Sequence, residues 1–268
     1  MSTTDAFRAL HDDGLFVLPN AWDIGSARLL EHLGFSAVAT TSSGYAGSLG
    51  RLDQNVGRHE LLTHVESLTA AISIPVSVDT ELCYPDEPGG ITGTVELLAE
   101  AGAAGCSIED YDPATGILPL EVATERVTEA ADVAARRGLV LTARAENHLY
   151  GVDDLDDTIE RLTTYRDAGA EVVYAPGLVK TDDIQRVVRD VGGAVNVLTL
   201  PGVPSTAELA SLGVRRVSTG SSLAWTAYGA LVSAGRELLN EGTMSYLDTM
   251  LASQERDAAF VDRQPASE

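Results

Sequence analysis

What most constrains this chain is an alternation that runs from Leu15 to Ser218. Short apolar or β-branched runs stand at Leu15–Leu18, Ala37–Thr41, Val76–Val78, Gly105–Ile108, Val140–Ala143, Val172–Tyr174, Ala194–Leu198 and Val214–Ser218. Amphipathic segments of helical period lie between them, among them Ile24–Leu33, Leu120–Arg137, Asp156–Ala168 and Thr181–Val191. Such runs separated by helical stretches are the pattern of successive βα units, which build parallel strands through right-handed crossovers. Acids open the later helices (D-D-L-D-D at Asp153–Asp157, T-D-D at Thr181) and complement the helix dipole. Leu33-Gly34, Ala101-Gly102, Ala168-Gly169 and Leu212-Gly213 then end helices in the left-handed turn that glycine permits. Eight such units in about 220 residues predict a (β/α)8 TIM barrel. An open doubly wound sheet would place G-x-G-x-x-G after the first strand, where Pro19-Asn20-Ala21-Trp22-Asp23 stands instead.

Residues 1–260 read as a single domain, and Val261–Glu268 as a disordered tail. The stretch Ala224–Phe260 is helical in pattern and exceeds what closing a barrel requires. Its apolar patches (A-L-V-S-A, Y-L-D-T-M-L) predict packing onto another subunit, hence a homo-oligomer. A net charge of −22 argues against nucleic acid and anionic membranes as partners. No apolar run approaches 18 residues, and the start M-S-T-T-D-A-F-R lacks the layout of a signal peptide. Cys83 and Cys106 have no metal-ligand spacing and suit a reducing, cytoplasmic compartment.

Chemistry concentrates in one βαβ unit, Pro75–Asp110. Its two strands end in Asp79 and Glu81 (V-D-T-E) and in Glu109 and Asp110 (S-I-E-D), with the helical stretch Gly93–Ala104 between them. Parallel neighbours present the same end, so these four acids are expected to converge. Two carboxylates about 4 Å apart repel by about 4 kcal/mol at an effective dielectric of 20. The chain has one lysine, Lys180, so a hard divalent cation on oxygen ligands is the expected counter-charge. Barrel chemistry sits at the C-terminal strand ends. That rule adds Ser42-Ser43-Gly44-Tyr45 after strand two, Arg144-Ala145-Glu146-Asn147-His148 after strand five, and Asn196 on strand seven. A cation beside an arginine and a small-residue loop suits a carboxylate-bearing substrate.

Taken together, P-N-A-W-D-I-G-S-A-R, T-S-S-G-Y-A-G-S-L-G-R-L-D, V-D-T-E, S-I-E-D, A-R-A-E-N and V-N-V-L resemble the isocitrate lyase/phosphoenolpyruvate mutase superfamily. The resemblance runs from about Leu18 to Gly220 in the same order. It implies a (β/α)8 barrel, Mg2+ (with Mn2+ as a substitute), an oxo-acid ligand, and a tetramer whose last helix swaps between neighbours. It further implies that Asp79, Glu81 and Glu109 serve the metal, and that Ser42, Ser43 and Gly44 bind the substrate carboxylate. Asp53, Arg144, Glu109 and Tyr45 become candidate catalytic residues, and Asn196 a pocket wall. Tyr45 either aims its hydroxyl into the site or caps the loop.

One loop departs from the pattern. Lyases of this family carry a Lys-Lys/Arg-Cys-Gly-His stretch after strand four, and phosphonate-handling members carry Lys and Asn there. Here the loop is Tyr111-Asp112-Pro113-Ala114-Thr115-Gly116-Ile117-Leu118-Pro119. The implied common core is a Mg2+- and Arg-stabilised enolate in a lyase or decarboxylase acting on a small 2-oxo or hydroxy polycarboxylic acid. C–P bond chemistry on a phosphonate is the alternative. From other classes come a Schiff-base aldolase using Lys180 and a non-catalytic oxo-acid-binding barrel. Cys83 could be a relocated thiol and His148 a proton shuttle, while His59 and His64 read as a solvated helix face. S-T-G-S-S at 218–222 stands where barrels cradle phosphate, although a plain helix cap explains it equally.

Overall fold

The computed structural model describes residues 2–261. The strands are β1 (Phe16–Leu18), β2 (Asn20–Ala21), β3 (Val38–Thr40), β4 (Val76–Asp79), β5 (Gly105–Glu109), β6 (Tyr111–Asp112), β7 (Gly116–Ile117), β8 (Val140–Arg144), β9 (Val172–Tyr174), β10 (Ala194–Leu198) and β11 (Arg216–Ser218). The helices are α1 (Thr3–Ala9), α2 (Ile24–His32), α3 (Ser42–Ser48), α4 (Arg58–Ala71), α5 (Gly90–Glu100), α6 (Leu120–Arg137), α7 (Leu155–Asp167), α8 (Thr181–Val191), α9 (Thr206–Ser211), α10 (Ser222–Asn240) and α11 (Ser253–Phe260), with a 3-10 turn at Ser245–Thr249.

The main sheet is parallel throughout, in the order β1-β11-β10-β9-β8-β5-β4-β3-β2. Strands β1 and β2 are two halves of one strand parted by Pro19. The first half pairs β11 (Phe16 with Arg216, Leu18 with Ser218) and the second pairs β3 (Asn20 with Ala39). Proline lacks a ladder donor, which breaks the strand, yet its carbonyl still accepts from Ala39 N at 2.9 Å. The sheet therefore curls back on its first strand, and the expected TIM barrel is what forms. The loop after β5 also holds a small antiparallel hairpin, β6–β7, where the sequence suggested irregular chain.

Each strand sends alternate residues outward to the helices and inward to the lumen. Outward go Val78, Cys106, Ile108, Leu141, Val173, Val195, Val197 and Val217, which join Leu61, Val65, Leu68, Val95, Leu98, Val127, Leu162 and Ile184 from the helices in the main core. Each fully buried Leu there contributes on the order of 2 kcal/mol. The N-terminal end of the lumen is closed by α1. Phe7, His11 and Phe16 meet edge to face there, with ring centroids 4.9 to 6.3 Å apart, over Leu18, Val140 and Val172.

Past β11 the chain behaves differently. Of the 19 residues in α10 only Ala224 is buried, and Trp225, Leu231, Val232, Leu238 and Leu239 are exposed. Helix α11 returns to pack on α2, with Phe260 beside Gly25. Val261 is exposed, and the rest of the expected disordered tail lies outside the described residues. Among the described residues no helix is long and apolar enough to cross a membrane.

Candidate active site

The period of two within strands decides which acids meet. Asp79 follows Ser77 on the lumen side of β4, and Glu109 follows Ser107 on the lumen side of β5. Asp110, next in the chain, faces the other way. It is buried against α7, where its carboxylate accepts from Arg161 Nη1 at 3.0 Å, Tyr165 Oη at 2.7 Å and the Glu146 amide at 2.8 Å. The expected convergence of four acids thus loses Asp110, which anchors the main chain behind the site.

Arg144, opposite Glu109 in the β5–β8 register, joins the others. Its guanidinium reaches Asp79 Oδ1 at 2.9 Å, Glu109 Oε2 at 3.3 Å and Glu146 Oε1 at 2.6 Å. Burial disfavours its charge, but these three carboxylates outweigh that and hold its pKa well above the ordinary value. The Tyr174 ring lies 5.3 Å beneath the guanidinium, and burial raises that phenol to about 12. Asp79 is fixed further by the Ser42 amide (3.0 Å to Oδ2), and its own amide donates to Thr40 Oγ1 at 2.9 Å.

These groups face a cavity of about 290 Å3 at the C-terminal strand ends. Asp53, Asp79, Arg144, Ser42, Ser43 and Asn196 line it, as does Tyr174. Asp53 sits at the rim, and partial burial together with Asp79 raises its pKa. Glu81 stands just behind, its backbone in the left-handed region (φ 50°), as are Cys83 and Tyr84. Non-glycine residues in this conformation mark a strained turn, a common sign of a functional loop. Burial, then Asp79 and Asp53, push Glu81 to about 8. Burial likewise raises Glu109 and Glu146 despite Arg144.

Several expectations are corrected. Tyr45 does not enter the cavity: it stacks on His64 (3.8 Å between centroids) on the outer side of α3, its hydroxyl 3.4 Å from the Glu60 carbonyl. His64 is accordingly buried rather than solvated, and burial lowers its pKa to about 4. Gly44 also misses the cavity; a Cβ there would lie 2.6 Å from Thr41 Cγ2 and 3.0 Å from Trp22 Cβ, so its role is close packing. Cys83 is buried with its thiol raised to about 12, the opposite of an activated nucleophile. His148 is turned to Asp153 (3.3 Å) and does not line the cavity. Lys180 is largely exposed and pairs with Asp183, leaving the Schiff-base reading without a lysine in the cavity. The amides of Thr219 and Gly220 already donate to Asn20 Oδ1 (3.0 and 2.9 Å), so these two are not free to hold a phosphate.

The family profile described as phosphoenolpyruvate phosphomutase matches residues 7–239. The chain belongs to the isocitrate lyase/phosphoenolpyruvate mutase superfamily. A candidate lyase/mutase of Burkholderia cenocepacia J2315 shares 46% identity over 97% of this chain and 96% of its own, with a TM-score of 0.93. An uncharacterised Mycobacterium tuberculosis protein is 35% identical over 81% of this chain and 82% of its own. Escherichia coli 2-methylisocitrate lyase is 28% identical over 65% of this chain and 62% of its own. Named relatives in the superfamily are thus lyases and phosphomutases.

The donor chemistry here fits a hard cation. Asp53, Asp79, Glu81, Glu109 and Glu146 gather around one guanidinium, an excess of acidic oxygen donors over cations. The expected set Asp79, Glu81 and Glu109 does not, however, form a closed cage. Among the described residues no three acidic, histidine or cysteine side chains are grouped to hold an ion by themselves. Arg144 fills the space between Asp79 and Glu109. One or two carboxylates completed by water and substrate oxygen is the ordinary arrangement for Mg2+. Two neighbours had no role in the sequence reading: Glu146, named there only as part of the stretch after strand five, and Gln54, not named at all. Glu146 is two residues past Arg144 and so on its face, and Gln54 donates to Glu109 Oε1 at 3.1 Å from a left-handed turn (φ 63°). The first was readable from spacing, whereas the second depends on a tertiary contact.

Proposed function

We propose that this chain is a Mg2+-dependent carbon–carbon lyase or decarboxylase acting on a small 2-oxo or hydroxy polycarboxylic acid through a stabilised enolate. One observation carries the reading: a guanidinium held by Asp79, Glu109 and Glu146 faces, with Asp79 and Ser42, a small cavity at the barrel mouth. Breaking the C–C bond beta to the oxo group leaves its electron pair as an enolate, with charge on the C2 oxygen. Arg144 donates to that oxygen, and because its orientation is set beforehand by three carboxylates it need not reorganise during the reaction. Ser42 and Ser43 take the C1 carboxylate, and Asn196 borders the remainder of the substrate. Asp53, at the rim, delivers a proton to the enolate carbon after decarboxylation, or takes the proton of a substrate hydroxyl as its carbon becomes a carbonyl and the C–C bond breaks. Asp79, with Asp53, Glu81 and Glu109 around it, would hold the divalent ion, which when bound supplies Lewis-acid polarisation of the oxo and carboxylate oxygens.

The test is a panel of oxaloacetate, 2-methylisocitrate, isocitrate, phosphonopyruvate and phosphoenolpyruvate, each with Mg2+, with Mn2+ and with a chelator. Metal-dependent cleavage of one of the first three, lost in Asp79→Ala, supports the proposal. Turnover confined to the phosphorus compounds supports C–P chemistry instead, the reading that the phosphomutase name of the matching profile favours. Metal-dependent binding without turnover would make this an oxo-acid-binding barrel. Full activity in chelator would refute the metal requirement.

We also infer a cytoplasmic homo-oligomer, a dimer of swapped dimers. The support is α10, whose exposed apolar residues Leu231, Leu238 and Leu239 need cover that their own chain does not supply. Light scattering that gives a monomer at micromolar concentration would count against it.

A further inference from the structure

The barrel lumen holds a second guanidinium, one layer below the first. Arg216 opens β11, points into the lumen and is 4% exposed, yet the cavity reaches down to it. Its partners are all neutral. Nε donates to Asn196 Oδ1 at 3.0 Å and Nη2 to Thr142 Oγ1 at 2.9 Å, while Nη1 lies 3.4 Å from His11 Nε2. His11 Nδ1 is 3.0 Å from the Phe7 carbonyl, which calls for a proton on Nδ1 and leaves Nε2 as the acceptor. Burial, then Arg216 itself, lower His11 to about 3, so that ring is neutral at physiological pH. Among the described residues no carboxylate pairs with Arg216 in any ion pair. Arg144 is the contrast, with three.

A buried charge without a counter-ion is costly, and proteins retain one chiefly where something else compensates it. Burial lowers Arg216 only to about 10, so it remains a cation at neutral pH. A guanidinium has five N–H groups. Three are engaged here, which leaves one on each Nη to donate to an oxyanion. Thr142, which anchors Arg216, and Arg144 are two residues apart on β8 and share its lumen face, so the anchoring position lies about 6.6 Å along the strand from that of Arg144. That suits a small molecule carrying an anionic group at each end.

We propose that Arg216 is a specificity-determining residue: it binds a second anionic group of the substrate, carboxylate or phosphonate, at the floor of the cavity. This rests on the reading of that cavity as the substrate site, but not on which bond is broken there. A monoanionic oxo acid would satisfy the upper layer alone. A dianion would engage Arg216 too and neutralise it.

Calorimetric titration of the Mg2+-loaded protein tests this without requiring turnover. The probes are oxalate, pyruvate, malonate, succinate and phosphonoacetate, titrated into wild type, Arg216→Met and Arg216→Lys. Wild type is expected to bind one of the longer dianions about 10- to 100-fold tighter than pyruvate, the worth of charge-assisted hydrogen bonds to a buried cation. The ratio should collapse toward one in Arg216→Met and be partly kept in Arg216→Lys, which retains charge but loses the fork. Malonate or succinate against phosphonoacetate tells carboxylate from phosphonate. Should Arg216→Met not fold, the wild-type preference and the Lys variant still decide. Equal binding of mono- and dianions by wild type, or an unchanged preference in either variant, overturns the proposal. A preference that survives while every substrate in the panel fails would instead leave Arg216 standing and remove the lyase reading.

Discussion

Replacing Arg144 with Met gives a prediction whose size can be worked from the contacts. At an effective dielectric of 20, unit charges at the observed 2.6, 2.9 and 3.3 Å attract by about 6.4, 5.7 and 5.0 kcal/mol. Most of that gross attraction is offset by the cost of removing the guanidinium and two nearly buried carboxylates from water. The experience with such pairs is that taking away one partner costs about 3–5 kcal/mol, because the remaining charges stay buried without compensation. Met preserves much of the side chain's apolar volume, so packing changes add little. With about 2–4 °C lost per kcal/mol for a chain near this size, the melting temperature should fall by about 6–20 °C. The assay is urea denaturation followed by circular dichroism, with a chelator present so that no added ion substitutes for the missing charge. Glu146→Gln should cost less, since the guanidinium keeps two partners. If Arg144→Met unfolds within about 1 kcal/mol of wild type, below the range expected for a broken buried pair, the site is not held together as described.

Three further outcomes follow from particular residues. Burial keeps His64 neutral with a pKa near 4 rather than 6.5, so below pH 6.5 the unfolded chain binds the extra proton and stability falls with pH. By pH 5 wild type should lose about 2 kcal/mol more than His64→Phe does, read from urea midpoints at pH 7.5 and 5, and equal losses would refute it. Cys83 and Cys106 are both buried with raised thiol pKa values, so neither should react with a disulfide reagent until the protein is denatured, whereas rapid labelling of native protein would contradict the packing. Gly105→Ala would place a Cβ 2.7 Å from the Val140 carbonyl and 2.9 Å from Phe7, and the overpacking should cost about 1–3 kcal/mol in a thermal melt, with no change in melting temperature as the refuting result.

The fold was legible because its signals are local and repeated: eight apolar runs, acidic helix starts and glycine stops all agree. The site was legible where residues end strands, as Asp79 and Arg144 do. It was misread where adjacent positions were grouped by proximity in sequence. Glu109 ends β5 and Asp110 follows it, yet the first faces the lumen and the second α7, and Tyr45 is turned from Ser42 by the phase of a helix. Arg216 begins its strand, so a rule keyed to strand ends passes over it. Burial of His64 comes from Tyr45 stacking across from α3, a contact that the pattern of α4 alone does not contain.

The division of labour between the two sides of the sheet has an evolutionary consequence. The large apolar cluster lies between strands and helices, while the lumen above the α1 plug is lined by Ser77, Thr142, Asn196, Arg216 and Ser218. Cohesion and recognition are therefore written on alternate residues of the same strands. Substitutions on the inner register can retune which acid is recognised while the outer register keeps the architecture intact, so descendants of such a scaffold are free to exchange substrates without first surviving a loss of shape.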